Sequence, residues 1–354
     1  MLRLGRHRIG ILGAGAWGTA MGKHLAERGH RVELWCREAE VAEEINHRHA
    51  NSRFLIGVPL PSGLHAVTDP LEAAARKDHL LLAVPSAYLL EVVRKVLFVP
   101  DILEGRTLIG VLTKGFVQTP QGVRLLTEAV ENMLPGIYKD NLVYISGPSH
   151  AEEVSRGKLT GLISASRNGA NAIRFRELLA GPPLVVFSSL DVRGVQICAA
   201  VKNVIAIGFG MLDALSEFSQ SVGDNTEALL LAAGLNEIQR LGLAMGATHP
   251  ETFSSIAGVG DLEVTCRSKY GRNRRFGREL VATRVLERFR DIDDLIANID
   301  SVGYLPEGVM AAKHTRALAE QFGVTLPICQ VVHAVLDRKT EPLSALDLIL
   351  ERLG

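Results

Sequence analysis

The segment Arg8-Ile9-Gly10-Ile11-Leu12-Gly13-Ala14-Gly15-Ala16-Trp17-Gly18 joins a short apolar run to a glycine-rich turn. Arg8–Leu12 reads as a strand, Trp17–Arg28 as a helix and Arg31–Cys36 as a second strand. Gly13 to Gly18 fits G-x-G-x-x-G. That spacing alone is a weak signal, but the strand before it and the helix after it are the context it needs. Gly13 permits the tight turn, Gly15 lets the backbone approach a pyrophosphate, and Gly18 allows the helix to pack closely on the strand. The helix N-terminus then offers free N–H groups to the phosphates. A tight turn without a ligand is the plainer alternative; dinucleotide binding is the favoured reading.

The end of the second strand reports which dinucleotide. An acid there hydrogen-bonds the ribose 2′-hydroxyl, whereas an arginine accommodates a 2′-phosphate. The chain reads Leu34-Trp35-Cys36-Arg37-Glu38, with Arg37 in place and Glu38 one residue late. This leans toward NADP, or toward tolerance of NAD and NADP, against the alternative that Arg37 is only a solvated surface residue.

Outward from the turn, strand-like runs alternate with helical patterns. Asp69-Pro70 looks like a cap followed by a first-position proline, opening a helix over Leu71–Lys77. Further strand candidates are His79–Val84, Thr107–Leu112, Leu142–Ser146, Gly161–Ala165 and Leu184–Ser188. Such alternation predicts a parallel sheet with crossover helices. From about Asp191 the pattern turns helical, with Gly194–Leu212, Asn225–Leu241, Asp261–Cys266, Phe276–Phe289 and Gly308–Phe322. The fold class is α/β: a doubly wound Rossmann-type sheet domain over 1–190, then an all-α domain over 191–354. Three hundred and fifty-four residues suit two domains of about 150 residues each.

Composition narrows the function. Thirty-nine Lys plus Arg balance 39 Asp plus Glu, so no overall basic field exists for nucleic acid or a membrane surface. At 47% apolar the chain is ordinarily globular. Cys36, Cys198, Cys266 and Cys329 lie far apart, which argues against a disulfide framework or zinc ribbon and suits a reducing cytosol. No metal site is expected. Two segments imitate export or membrane signals. The basic N-terminus (Arg3, Arg6, His7, Arg8) precedes an apolar run, but Gly10, Gly13, Gly15, Gly18 and Gly22 interrupt it. Gly194–Leu212 carries only Lys202 as a charge, near its middle, where a bilayer would tolerate it poorly. A buried core helix fits better, and no membrane insertion is expected.

Ligands of open α/β sheets bind beyond the carboxyl ends of the strands. Those ends read Pro85-Ser86, Thr113-Lys114-Gly115 and Ser146-Gly147-Pro148-Ser149-His150-Ala151. Lys114 is the only charge in Leu108–Val117 and suits an anion or carbonyl contact. Gly147 and Ser149 can offer backbone N–H groups at a helix start. His150 is more simply structural than catalytic. In the helical half, burial of Lys202 requires a partner or lowers its pKa from about 10.4 toward neutrality, the tuning an acid–base catalyst needs. Asp261, in Gly258-Val259-Gly260-Asp261-Leu262, is a helix cap or the partner of Lys202. Arg267, Lys269, Arg272, Arg274, Arg275 and Arg278 then stand without an acid among them. Such a run suits a phosphate group or is a solvated basic face. For nucleic acid no aromatic platform accompanies it beyond Tyr270 and Phe276.

A dinucleotide turn, a strand-end lysine, a buried helix lysine and a phosphate-sized basic run suggest a dehydrogenase of a phosphorylated substrate. The chain resembles the NAD(P)-dependent glycerol-3-phosphate dehydrogenases along nearly its full length. The matching segments are Gly13–Ala20, Thr113-Lys114-Gly115, Ser146–Ser149 with Ala151, Ala200–Gly208, Gly258–Leu262 with Thr265-Cys266, Gly271–Gly277, and Glu307-Gly308.

The resemblance implies interconversion of sn-glycerol 3-phosphate and dihydroxyacetone phosphate, feeding phospholipid synthesis in the cytoplasm, by a homodimer. Lys202 would be the proton acceptor, and the donor in the reverse direction. Lys114 would contact substrate and cofactor; Gly147, Ser149 and Gly271 would contact substrate. Asp261 would orient Lys202 and hold the polar end of the substrate, and Arg272 and Asn273 would grip its phosphate. Gly13, Gly15, Ala16, Trp17, Gly18, Arg37, Ala151, Arg272, Leu305 and Glu307 match cofactor positions.

Several positions depart from the family pattern. Gly271 stands where many bacterial members carry serine, and His150 replaces the usual Phe. Ser216–Asp224 is a few residues longer, and Gly223-Asp224-Asn225-Thr226 is similar to the animal cytosolic enzymes. Glu227 and Ala232-Ala233 occupy a helix that is usually basic. Two other readings compete: a related 3-hydroxy-acid or sugar-acid-phosphate dehydrogenase, and a non-catalytic nicotinamide sensor.

Overall fold

A computed structural model describes residues 6–217, 219, 222–268 and 270–353. Arg3 of the basic N-terminus, Phe218, Gln220 and Ser221 of the longer segment, and Lys269 of the basic run lie outside the described residues. The chain forms two compact units. One comprises the described residues up to Val117 with Arg124–Val192; the other comprises Gln118–Val123 with the described residues from Arg193 onward. The division falls between Val192 and Arg193, and the short excursion Gln118–Val123 goes with the second unit.

Ten strands are formed among the described residues: β1 (Arg8–Leu12), β2 (Arg31–Trp35), β3 (Leu64–Val67), β4 (His79–Leu82), β5 (Leu108–Val111), β6 (Phe116–Thr119), β7 (Gly122–Leu125), β8 (Val143–Ser146), β9 (Thr160–Ala165) and β10 (Leu184–Ser189). Eight make one sheet in the order β10-β9-β8-β5-β4-β1-β2-β3, and β6 and β7 pair separately. Order reverses at β1, from which the chain moves outward to β2 and β3 and then returns to β4, the signature of double winding. The central strands are almost wholly buried and built from Ile, Leu and Val, as a sheet covered on both faces requires. Ile9, Ile11, Leu34, Leu81, Ile145 and Phe175 belong to its core.

Two expectations need correction. The sheet is not wholly parallel, because β8 and β9 run antiparallel with Ile145 opposite Ser164. Only a four-residue helix, Ala151–Val154, lies on their connection, whereas the full helix Gly169–Leu179 restores the parallel step from β9 to β10. The helix expected over Phe276–Phe289 is also two elements. Arg272–Ala282 is α-helical, Arg284 adopts φ 49°, and Val285–Arg288 is a 3-10 turn. A left-handed residue ends an α-helix because its carbonyl leaves the helical ladder. Asp69 does cap its helix, accepting from the Leu71 N–H at 2.8 Å, although that helix is only Pro70–Ala74.

In the second unit the central element is Val192–Leu215, the lysine helix. Among the described residues it is the one helix long and apolar enough to cross a membrane, and its apolar window is wholly buried within the protein. Asp224–Ala244, Asp261–Arg267, Arg272–Ala282 (the arginine helix), Glu307–Phe322 and Pro327–Leu336 are the other helices that matter below.

Candidate active site

The glycine turn has the shape a pyrophosphate needs. Gly13 has φ 122°, and a Cβ there would lie 2.8 Å from the backbone of Ala83. A Cβ on Gly18 would strike the Gly13 carbonyl oxygen, so helix and strand meet backbone to backbone. In front of Gly15 nothing lies within 4 Å, and no side chain caps the helix Ala16–Glu27 that it opens. Uncapped N–H groups facing open space are an anion site. The indole N–H of Trp17 is buried without a hydrogen-bond partner among the described residues, a donor left for something else to satisfy. These residues fit a dinucleotide. Sequence reading missed the brace beneath the turn: buried Asn51 donates to the Ala14 carbonyl at 3.0 Å and to Thr19 Oγ1 at 2.9 Å. It gave no signal because it stands far along the chain in a segment without pattern.

At the end of β2, Arg37 is largely exposed and its guanidinium lies 3.1 Å from Glu38. Arg53, which the sequence did not single out, lies 3.8 Å from the same carboxylate. Two arginines thus flank one acid, leaving net positive charge at the expected 2′-position. Beyond β5 and β8 the structure brings three expected residues together. Lys114 Nζ donates to the Gly147 carbonyl at 3.1 Å, and Ser149 Oγ donates to the same oxygen at 2.9 Å. Gly147 has φ 118°, and a Cβ would come within 2.9 Å of the Gly161 carbonyl oxygen, so the loop requires glycine. Ala151 is buried at the start of the next short helix, and His150 precedes it without capping it through its side chain.

In the second unit Lys202 is buried, its side chain 6% exposed and that of Asp261 1%. The ammonium donates to Asp261 Oδ1 and, at 2.8 Å, to Thr265 Oγ1. The Thr265 hydroxyl in turn donates to the Asp261 carbonyl at 2.6 Å, one turn back on the helix Asp261–Arg267. Asp261 therefore supplies the opposite charge that burial demands, and Thr265 fixes the direction of Nζ.

The basic run is largely neutralised, partly by acids one helical turn away and partly by acids distant in sequence. Arg274 makes a fork on Asp213, Arg278 lies 2.7 Å from Glu217, and Arg275 lies 2.8 Å from Glu279. Arg267 lies 3.4 Å from Glu227, the acid that departs from the family pattern, and 3.3 Å from Glu263. Exposed Arg272, at the start of the arginine helix, is the member left without a carboxylate partner among the described residues. Arg267, Arg275 and Arg278 are also exposed, but each is paired, so Arg272 is the exposed cation of the run whose charge no acid offsets among the described residues. Asn273 is buried beside it, donating to Asn203 Oδ1 at 3.0 Å and accepting from the Gly308 N–H at 2.9 Å. Its amide is thus engaged within the protein at both ends. Gly271 is the buried cap position, and Leu305 and Glu307 sit half-buried at the start of Glu307–Phe322.

Comparison with known proteins fits this arrangement. Residues 8–172 match the family model for the NAD-dependent glycerol-3-phosphate dehydrogenase N-terminus, and residues 191–347 match that for its C-terminus. A glycerol-3-phosphate dehydrogenase, NAD(P)+, of Treponema denticola is 51% identical over 350 residues, covering 97% of this chain and 98% of the relative. One of Lysinibacillus sphaericus is 37% identical, covering 98% and 96%. The crystal structure of glycerol-3-phosphate dehydrogenase from Coxiella burnetii superposes with a TM-score of 0.83 at 33% identity, covering 98% of this chain and 99% of that one. A glycine turn built for a dinucleotide, a buried lysine–aspartate pair and matches over both halves place the chain in the NAD-dependent glycerol-3-phosphate dehydrogenase family.

Proposed function

We propose that the chain interconverts sn-glycerol 3-phosphate and dihydroxyacetone phosphate with NAD(P), and that Lys202 moves the proton. The observation that carries this reading is the buried Lys202–Asp261–Thr265 network. When bound, the nicotinamide supplies or takes the hydride at C2 of the substrate. The chain's own residues orient the substrate and handle one proton. In the direction of reduction, the Lys202 ammonium gives its proton to the C2 oxygen as the alcohol forms; in oxidation the amine takes it back. Asp261 holds the charged form in place, and Thr265 keeps Nζ aimed.

Arg272, without a carboxylate partner among the described residues, takes the phosphate, and binding there is spent on orienting the reacting carbon. Asn273, held by Asn203 and Gly308 and keeping a second amide N–H, grips the phosphate beside Arg272. Lys114, Gly147, Ser149 and Gly271 are read as substrate contacts. Gly13, Gly15, Ala16, Trp17, Gly18, Ala151, Leu305 and Glu307 are read as cofactor contacts, shared with Lys114 and Arg272. Arg37, with Arg53 beside it, favours NADP. By resemblance to the family, the protein acts as a cytoplasmic homodimer and supplies phospholipid synthesis.

The test is loss of reduced-nicotinamide absorbance with dihydroxyacetone phosphate, using NADPH and NADH in parallel and phosphate-free dihydroxyacetone as control. Turnover confined to the phosphorylated ketone supports the reading. Cofactor binding without turnover of that ketone would reject it.

A further inference from the structure

The lysine helix and the arginine helix meet along a crossing that proton transfer does not itself require. At one end Asn273 Nδ2 donates to Asn203 Oδ1 at 3.0 Å. In the middle the backbones touch. A Cβ on Gly277 would strike the Ile207 carbonyl oxygen and lie 2.9 Å from the Gly210 Cα, while one on Gly210 would strike the Arg274 carbonyl oxygen. At the other end Arg274 grips Asp213, Nε to Oδ2 at 2.5 Å and Nη2 to Oδ1 at 2.9 Å. Its remaining nitrogen donates to the Arg267 carbonyl at 2.6 Å. All three guanidinium nitrogens of Arg274 are thus bonded within the protein.

Asn203, Gly210 and Asp213 are spaced seven and three residues apart, so they share one face of the lysine helix. Asn203 directly follows Lys202, and Asn273 directly follows Arg272. The crossing therefore ties the backbone that carries the buried ammonium to the backbone that carries the unmatched guanidinium. Bidentate pairing and glycine-to-glycine contact leave that distance little freedom.

We propose that this crossing is a spacer, resting on the functional reading above. Gly210, Gly277, Asp213 and Arg274 are positioning residues that fix the separation of Lys202 and Arg272. They thereby select ketones with one methylene between carbonyl and phosphate ester. A substrate one methylene longer places its carbonyl out of line with Lys202 when its phosphate is held.

The experiment compares kcat/KM for dihydroxyacetone phosphate with that for its homologue carrying two methylenes, in wild type, Gly277→Ala and Asp213→Asn. A methyl at 277 forces the helices apart, so the preference for the shorter ketone falls by about tenfold or more, chiefly through loss on that substrate. Asp213→Asn, which keeps the shape and removes the charge, moves the ratio in the same direction and serves if Gly277→Ala does not fold. Equal losses on both ketones, or an unchanged ratio, overturn the spacer and leave the crossing as packing alone. A wild type that turns over both ketones equally also overturns it. A wild type inert toward both overturns the functional reading and the spacer together.

Discussion

Lys202 shows why a single buried charge is informative only with its partner. Removing the ammonium leaves Asp261 buried and uncompensated, a penalty of roughly 3–5 kcal/mol. Lys202→Ala is therefore expected to lose turnover and stability together, with NADPH binding retained by the folded fraction. Lys202→Met combined with Asp261→Asn separates the two effects: melting temperature recovers toward wild type, turnover does not. Calorimetry beside the absorbance assay checks this, and recovery of turnover in the double variant would remove Lys202 from proton transfer. At the cofactor end, Arg37→Ala is expected to raise KM for NADPH about tenfold while leaving KM for NADH within about twofold, since a charge-assisted contact is lost only to the 2′-phosphate. Glu38→Gln, which frees both Arg37 and Arg53, should move the preference the other way. Lys202 was legible because it is a lone charge in a long apolar run. The singular position of Arg272 was not, because it depends on which acids meet its neighbours, and the acid that holds Arg274 is Asp213, 61 residues away.

Elements add constraints that no single residue shows. Glu237, buried on Asp224–Ala244, accepts from the Ile328 N–H at 2.5 Å and from the Cys329 N–H at 3.0 Å. It thus caps the helix Pro327–Leu336 from another element, while Pro327 occupies the first position where no N–H is needed. Glu237→Gln turns one acceptor into a donor facing an N–H, and an unmade buried hydrogen bond costs about 1–3 kcal/mol. A fall in the guanidinium midpoint with unchanged slope is the expected result; an unchanged midpoint would mean that water or rearrangement satisfies the helix end. Strand and helix positions around the glycine turn were legible because hydrophobic period and turn chemistry are local. The antiparallel β8–β9 pair was not, because strand direction depends on what the connection packs against. Leu64–Val67 is four residues long, too short for its alternation to stand out, and the 118–123 excursion joins a unit decided by contacts distant in sequence.

Across the molecule, stability should depend on pH through histidines that the reaction does not use. His7, His30 and His79 cluster where β1, β2 and β4 begin, with ring centroids 5.4 Å apart for His7–His30 and 5.0 Å for His7–His79. His79 also meets Phe175 edge-on at 5.3 Å. Burial, and then the neighbouring His7, push His30 and His79 each down to about 4. In the second unit burial, and then Lys313, push His314 down to about 4. A native histidine with a depressed pKa stays neutral while the unfolded chain, titrating near 6.5, takes up protons. Its contribution is therefore fully present above pH 6.5, declines as pH falls toward 4, and is lost below that. For buried His79 the loss is no more than about 3 kcal/mol, up to about 10 °C of melting temperature. Because the chain forms two compact units, one midpoint need not describe both, and calorimetry from pH 7.5 to 4.5 should show both units weakening. His79→Phe keeps an aromatic ring against Phe175 and removes one titrating group. It should flatten the pH dependence of the first unit and leave that of the second, which contains His314, as it was. Equal slopes for wild type and His79→Phe across that window would mean that the carboxylates, not the histidine cluster, govern acid unfolding.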